Sequence, residues 1–252
     1  MAGLRTLLDF PDGAGVAINY NTIYVYDSSS SANNGGRCCQ FCVPQGTIWF
    51  AVEMWGGGGG GAGGCCCRAG WPGGSGAYAR KIINGLSGGE CFTICAAGST
   101  GCSSDSNQGC QGNSSFVRRE DSGTVCVCAA GGCRGCSRCD FQDGCSYSGC
   151  QQRSMESGFG CGALCIPGLY GGAKGSAFCQ SQHWQMLNSA PFTPSGIRGG
   201  WNGCAVGNGP GCCQGCPSWP GGGGATAINQ GACCRGNYGA SGLVVIYYGT
   251  ES

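Results

Sequence analysis

Residues 48–64 read IWFAVEMWGGGGGGAGG, and the rest of the chain is organised around this stretch. An apolar, β-favouring run from Ile48 through Trp55 passes without a break into six consecutive glycines. Glycine has no side chain to bury and loses more backbone freedom on folding than any other residue. A run of it becomes ordered only through backbone hydrogen bonds and close packing against neighbouring segments. Cys65, Cys66 and Cys67 follow almost at once. A flexible linker needs no such cysteines, so glycine is read here as a packing device.

The same contrast recurs outward in both directions. Of 252 residues, 55 are glycine and 26 are cysteine, while 13 basic side chains against 12 acidic ones leave a formal charge of +1. Leu, Ile, Val and Phe together fill less than a fifth of the chain, a proportion that suggests disorder only when net charge is high. A core with so few large apolar residues needs staples, metals or oligomer contacts, and cysteine is the obvious staple. An even number of thiols at this density belongs outside a reducing cytosol. The opening MAGLRTLLDFPDGAG has neither the basic start nor the long apolar stretch of an export signal, and no stretch approaches the length of a membrane helix. A particle-borne protein that meets oxidant after release satisfies both conditions.

Strand-like pieces are expected at 15–20, 22–26, 77–83, 91–97, 114–118, 124–130 and 243–248. LVVIYY, at 243–248, is the strongest of them and is expected to pair near 48–55. In CFTICAA the thiols of Cys91 and Cys95 share one face and Phe92 and Ile94 the other; Cys126 and Cys128 are expected to oppose Val125 and Val127 in the same way. Residues 176–188 (SAFCQSQHWQMLN) show helical apolar spacing between Ser176 and Asn188. Residues 1–36 hold no cysteine and end in SSSSANNGG, which suggests an attachment segment and hinge ahead of a glycine- and cysteine-rich head over 37–252. An equal alternative makes them the first strands of a single domain.

Chemistry is sparse. Cys39/Cys42, Cys213/Cys216 and the run Cys133, Cys136, Cys139 have C-x-x-C spacing, which suits either disulfides or thiolate ligands for zinc or iron. At this cysteine density such pairs also arise by chance, so no cofactor is expected, with zinc or iron as the alternative. His183 is the single histidine and lies four residues after Cys179, a pair more readily structural than nucleophilic. No G-x-S-x-G elbow is present, and GLYGGAKGS departs from a phosphate loop on both sides of Lys174. An enzyme is therefore not expected. The near-neutral charge provides no basic face for nucleic acid. Single aromatics on glycine-rich loops remain, and Phe159, Tyr170, Trp184, Trp201 and Trp219 are the candidate receptor-binding residues.

The order of features resembles the glycine-rich domains of bacteriophage tail-fibre and adhesin proteins. It is carried by VEMWGGGGGGAGG, GGSGAYARK, ECFTICAAGSTG, GNSSFV, the AAGG at 129–132 and GASGLVVIYYG. The resemblance implies a mainly β fold, a small sandwich-like framework bearing packed polyglycine helices and here cysteine-stapled loops. It also implies a homotrimer on the virion surface, fastened to another virion protein through 1–36, with loops in 137–220 contacting a glycan or protein of the host surface. Nucleic acid and membrane insertion have no part in it. The rival expectations are a capsid or tail decoration protein with a purely structural role, and a cysteine-rich metal-binding protein.

Overall fold

The computed structural model describes residues 19–26, 36–47, 49–62, 73–100, 109–135, 164–166, 184–186, 201–203, 219–224 and 238–250. It is mainly β, with two packed antiparallel sheets, and the framework expected from the sequence is present. The strands are β1 (Asn19–Tyr26), β2 (Arg37–Cys42), β3 (Trp49–Trp55), β4 (Tyr78–Asn84), β5 (Cys91–Ala96), β6 (Ser115–Arg119), β7 (Val125–Ala129), β8 (Leu164–Ile166), β9 (Trp184–Met186), β10 (Trp201–Gly203) and β11 (Leu243–Thr250). One sheet has the order β1-β11-β3-β4-β8, the second β2-β5-β6-β7, and β9 and β10 form a separate two-stranded ladder.

Period-2 alternation builds the core between the two sheets. Phe50, Val52 and Met54 of β3 point inward beside Ile246 and Val244 of β11, opposite Phe92, Ile94, Val117 and Val127 of the second sheet. Phe50 sits between Phe41 and Phe92 in edge-on ring contacts at 5.6 and 5.0 Å. Each large side chain removed from water here contributes about 1.5–3 kcal/mol, so a small number of large apolar side chains carries the sandwich. The terminal strand β11 lies between β1 and β3, with Leu243 opposite Trp55 and Tyr248 opposite Phe50, the pairing expected of LVVIYY.

Two disulfides, Cys38–Cys95 and Cys42–Cys91, join directly opposed residues of β2 and β5. The alternation read from CFTICAA holds, because Phe92 and Ile94 are fully buried while both disulfides lie on the other face. In β7 it fails. A register shift between Val117 and Arg118 turns Val125 to solvent and brings Cys126 against the core. A bulge of this kind inserts one residue and exchanges the faces beyond it.

One further expectation is corrected. The helix over 176–188 gives way, where the chain is described, to strand β9, because residues 184–186 pair with 201–203. Short apolar spacing is ambiguous between helix and strand, and a distant pairing partner decides it. Within residues 1–36, β1 is hydrogen-bonded along its whole length to β11 and sends Val25 into the core. Residues 1–18 and 27–35 of the expected attachment segment lie outside the described residues.

Candidate functional site

Past their ends, the strands continue into glycine. β3 runs into 56–62, β5 into 97–100 and β7 into 130–135, while 73–77, 109–113 and 239–242 lead into β4, β6 and β11. Residues 221–224 add one more segment. None of these pieces can bond to itself, since an extended three-residue-per-turn glycine helix has no internal hydrogen bonds. Each therefore bonds to its neighbours, in steps of three. Gly56 and Gly59 donate to the carbonyls of Ala77 and Gly74, Gly57 and Gly60 to those of Asn113 and Cys110, and Gly58 to that of Ala240. In return, Gly57 and Gly60 accept from Gly132 and Gly135, Gly59 accepts from Gly224, and Gly58 accepts from the Thr100 hydroxyl at 2.7 Å. The central segment is thus enclosed on all sides by the other six, and residues 56–62 are buried throughout.

The outer segments bond to one another in the same manner. Gly112 donates to Gly132, Gly74 to Cys133, Gly76 to Gly221, Gly221 to Ser241 and Gly242 to Ala97. Sequence explains which positions tolerate a side chain. In 109–113 (GCQGN), Gly109 and Gly112 face the centre, whereas Cys110, Gln111 and Asn113 are exposed. Ser115 locks the bundle to the sandwich: its buried hydroxyl donates to the Trp55 carbonyl at 2.6 Å and accepts from the Ala97 amide at 2.9 Å.

This lattice has a proximal end at the sheets and a distal end where Gly60, Cys110, Gly135, Gly73 and Gly224 meet through the bonds Gly60 to Cys110, Gly109 to Gly135 and Gly73 to Gly224. At the distal end the chain leaves after Ala62, Thr100, Gly135 and Gly224, and re-enters at Gly73, Gly109 and Tyr238. Every connection made there carries cysteine, including Cys65, Cys102, Cys136 and Cys233.

The expected receptor-binding residues distribute unevenly over this frame. Trp184 and Trp201 are brought onto paired strands, with Gly203 opposite Trp184 and Met186 opposite Trp201. Trp219 is 42% exposed, and its indole N–H donates to the Ser241 hydroxyl at 3.1 Å, which places it at the proximal end beside the sheets. Tyr238, equally exposed, stands at the distal end of its segment. Phe159 and Tyr170 lie outside the described residues.

Among the cysteines, Cys42 is bonded to Cys91, whereas Cys39 points to the core side as a free thiol whose pKa burial raises. The pair therefore cannot serve together as ligands. Cys133 is buried within the bundle; Cys136, Cys139, Cys213 and Cys216 lie outside the described residues. Among the described residues no group of three or more metal-binding side chains converges.

The sequence reading missed a polar cluster on the outer face of the larger sheet. Glu53, 8% exposed, accepts from the hydroxyls of Tyr78 at 3.1 Å and Tyr247 at 3.2 Å and lies 3.7 Å from the Arg80 guanidinium. Trp55 packs on Tyr78, with ring centroids 5.2 Å apart. The available signal was a lone carboxylate in the middle of an apolar strand. Burial first, and the Glu53 carboxylate second, push both phenols above the ordinary tyrosine range.

Because the unfolded chain releases these protons first, from about pH 10, the unfolded state is favoured as pH rises further. Stability to urea should therefore fall beyond about pH 10, by at most about 1.4 kcal/mol per pH unit for Tyr78 and by less for the half-buried Tyr247. The Tyr247→Phe variant should show a flatter decline. A wild-type stability that is level or rising over that range contradicts the assignment.

No protein-family model matches this chain, and a search of curated proteins finds no significant match.

Proposed function

We propose that this protein is a bacteriophage virion component, a tail fibre or fibre tip that adheres to the host surface through loops carried at the distal end of the glycine bundle. One observation carries the reading. Seven glycine-rich segments, held together by backbone hydrogen bonds, bring the connections after Ala62, Thr100, Gly135 and Gly224 to one end of a rigid support. Loops presented by a rigid scaffold make good binding surfaces, because less conformational entropy is lost when a partner is engaged. Tyr238 and the aromatics of 137–220 other than Trp219 supply amphipathic rings suited to a glycan or protein partner. The order of the glycine and strand motifs, which resembles the adhesin domains, supports the same role. Residues ahead of β1 fasten the head to the particle.

The test is competition. Purified native protein is added to host cells before virions, and adsorption is compared with that in the presence of reduced and alkylated protein. Native protein should block adsorption saturably and the reduced form should not. If native protein neither binds cells nor blocks, the adhesion reading fails and a structural decoration of the particle takes its place.

A further inference from the structure

We propose that β2 is a redox-released strand: opening both of its disulfides frees it from β5 and turns the core-facing Cys39 out to solvent, while the larger sheet and the glycine bundle stay folded. The inference comes from what holds each strand in place. β3 buries six of its seven residues and β5 four of its six, whereas β2 buries Phe41 alone of its six. Arg37, Cys38, Gln40 and Cys42 are exposed, and Cys39 is half-buried on the core side. Ordering six residues costs more backbone entropy than the burial of one aromatic offsets, and ladder hydrogen bonds replace bonds to water for little net gain.

Among the described residues β2 has one ladder, to β5, while β5 is paired on its other side with β6. Side chains add the exposed bond from Gln40 to Glu120 at 2.6 Å and the ring contacts of Phe41 with Phe50 and Tyr248. The two bridges are therefore the decisive attachment. Val43, just past β2, is buried and exchanges backbone bonds with Glu90 and Gly89, so it stays in place and serves as the hinge.

Both bridges lie on the solvent face, where Cys38 and Cys42 present exposed sulfurs to a small dithiol. One thiolate of the dithiol bonds to the Cys42 Sγ, the Cys42–Cys91 bond breaks, and Cys91 leaves as a thiolate that takes up a proton. The second thiol then closes a disulfide within the dithiol and releases Cys42 as a thiol. The bridge gains two electrons and two protons, and the dithiol loses them. Cys38–Cys95 opens in the same way but more slowly, because Cys95 is 4% exposed and a buried thiolate is a poor leaving group. While β2 is docked, Cys39 is shielded, and burial raises its pKa against the lowering effect of Arg37, so little thiolate forms.

Graded reduction of the full chain with dithiothreitol tests this. A brief pulse of N-ethylmaleimide followed by mass spectrometry reads Cys39 together with the state of both bridges. Chains with both closed, or with Cys42–Cys91 alone open, should label Cys39 slowly. Chains with both open should label it about tenfold faster or more. Because other cysteines also meet the dithiol, Cys38→Ser/Cys42→Ser/Cys91→Ser/Cys95→Ser is assayed without reductant. It should show the same fast labelling of Cys39, with the amides of 49–62 and 243–248 still protected from hydrogen exchange. Slow labelling with both bridges open, or equally fast labelling in the bridged chain, overturns the proposal. So does a quadruple variant whose Cys39 labels only as protection in 49–62 is lost.

Discussion

Gly58→Ala is expected to unfold the glycine bundle, with a loss of more than about 4 kcal/mol, enough to consume most of the stability of an ordinary domain. Gly58 sits in the enclosed central segment, donating to Ala240 and accepting from Thr100. A methyl group on it would overlap the carbonyl group of Gly222. That obstacle is backbone, itself bonded within the lattice, and cannot swing aside as a flexible side chain would. The neighbouring Gly57→Ala provides the comparison, since its methyl would meet the Gly98 carbonyl oxygen at 3.0 Å and the Ala97 methyl at 3.2 Å. Small adjustments accommodate such contacts, at about 1–2 kcal/mol. Urea unfolding of the two variants should separate them clearly. Equal stability would mean that the central segment is not enclosed in solution, and with it would go the support on which the distal loops are placed.

Removing both disulfides should cost about 6 kcal/mol, while removing either alone should cost only about 2–3 kcal/mol. The two bridges are nested, Cys38–Cys95 spanning 57 residues and Cys42–Cys91 spanning 49. Once one is closed, the other adds only the small loop between them, so most of the entropy is recovered when the last bridge is lost. Cys42→Ser/Cys91→Ser and Cys38→Ser/Cys95→Ser, each against the variant lacking all four thiols, measure this by chemical unfolding. The structural consequence should be confined to β2, because both bridges join β2 to β5 and the glycine lattice makes its own hydrogen bonds. A variant without bridges that also loses protection of the amides in 56–62 would show that the bundle depends on the staples.

Much of the framework was legible. The strands around 49–55, 78–84, 91–96 and 243–250 announce themselves by apolar, β-branched and aromatic content with period-2 faces, and the pairing of the first with the last follows from their strength. β9 was not legible, because a three-residue strand depends wholly on its partner at 201–203. Nor was the bulge that reverses Val125 and Cys126, since insertion of one residue leaves no mark in composition. Of the candidate receptor-binding residues, Trp219 illustrates the limit. An aromatic on a glycine-rich loop is visible in the sequence, but its place at the sheet end of the bundle follows from the antiparallel bonding of 221–224 with 239–242.

The sequence by itself determined that the chain is mainly β, that its core is small, and that glycine must be satisfied by neighbouring backbone, because these follow from side-chain volume, alternation and the absence of a Cβ. Tertiary structure alone decided which segment lies at the centre of the lattice, which cysteines are bridged and where β1 belongs. Glycines carry no side chain to distinguish one segment from another, so identity within the bundle is assigned by the strands to which each is joined. Cys38 and Cys39 are alike in sequence, and only the face each occupies on β2 makes one a bridge and leaves the other a partly buried thiol.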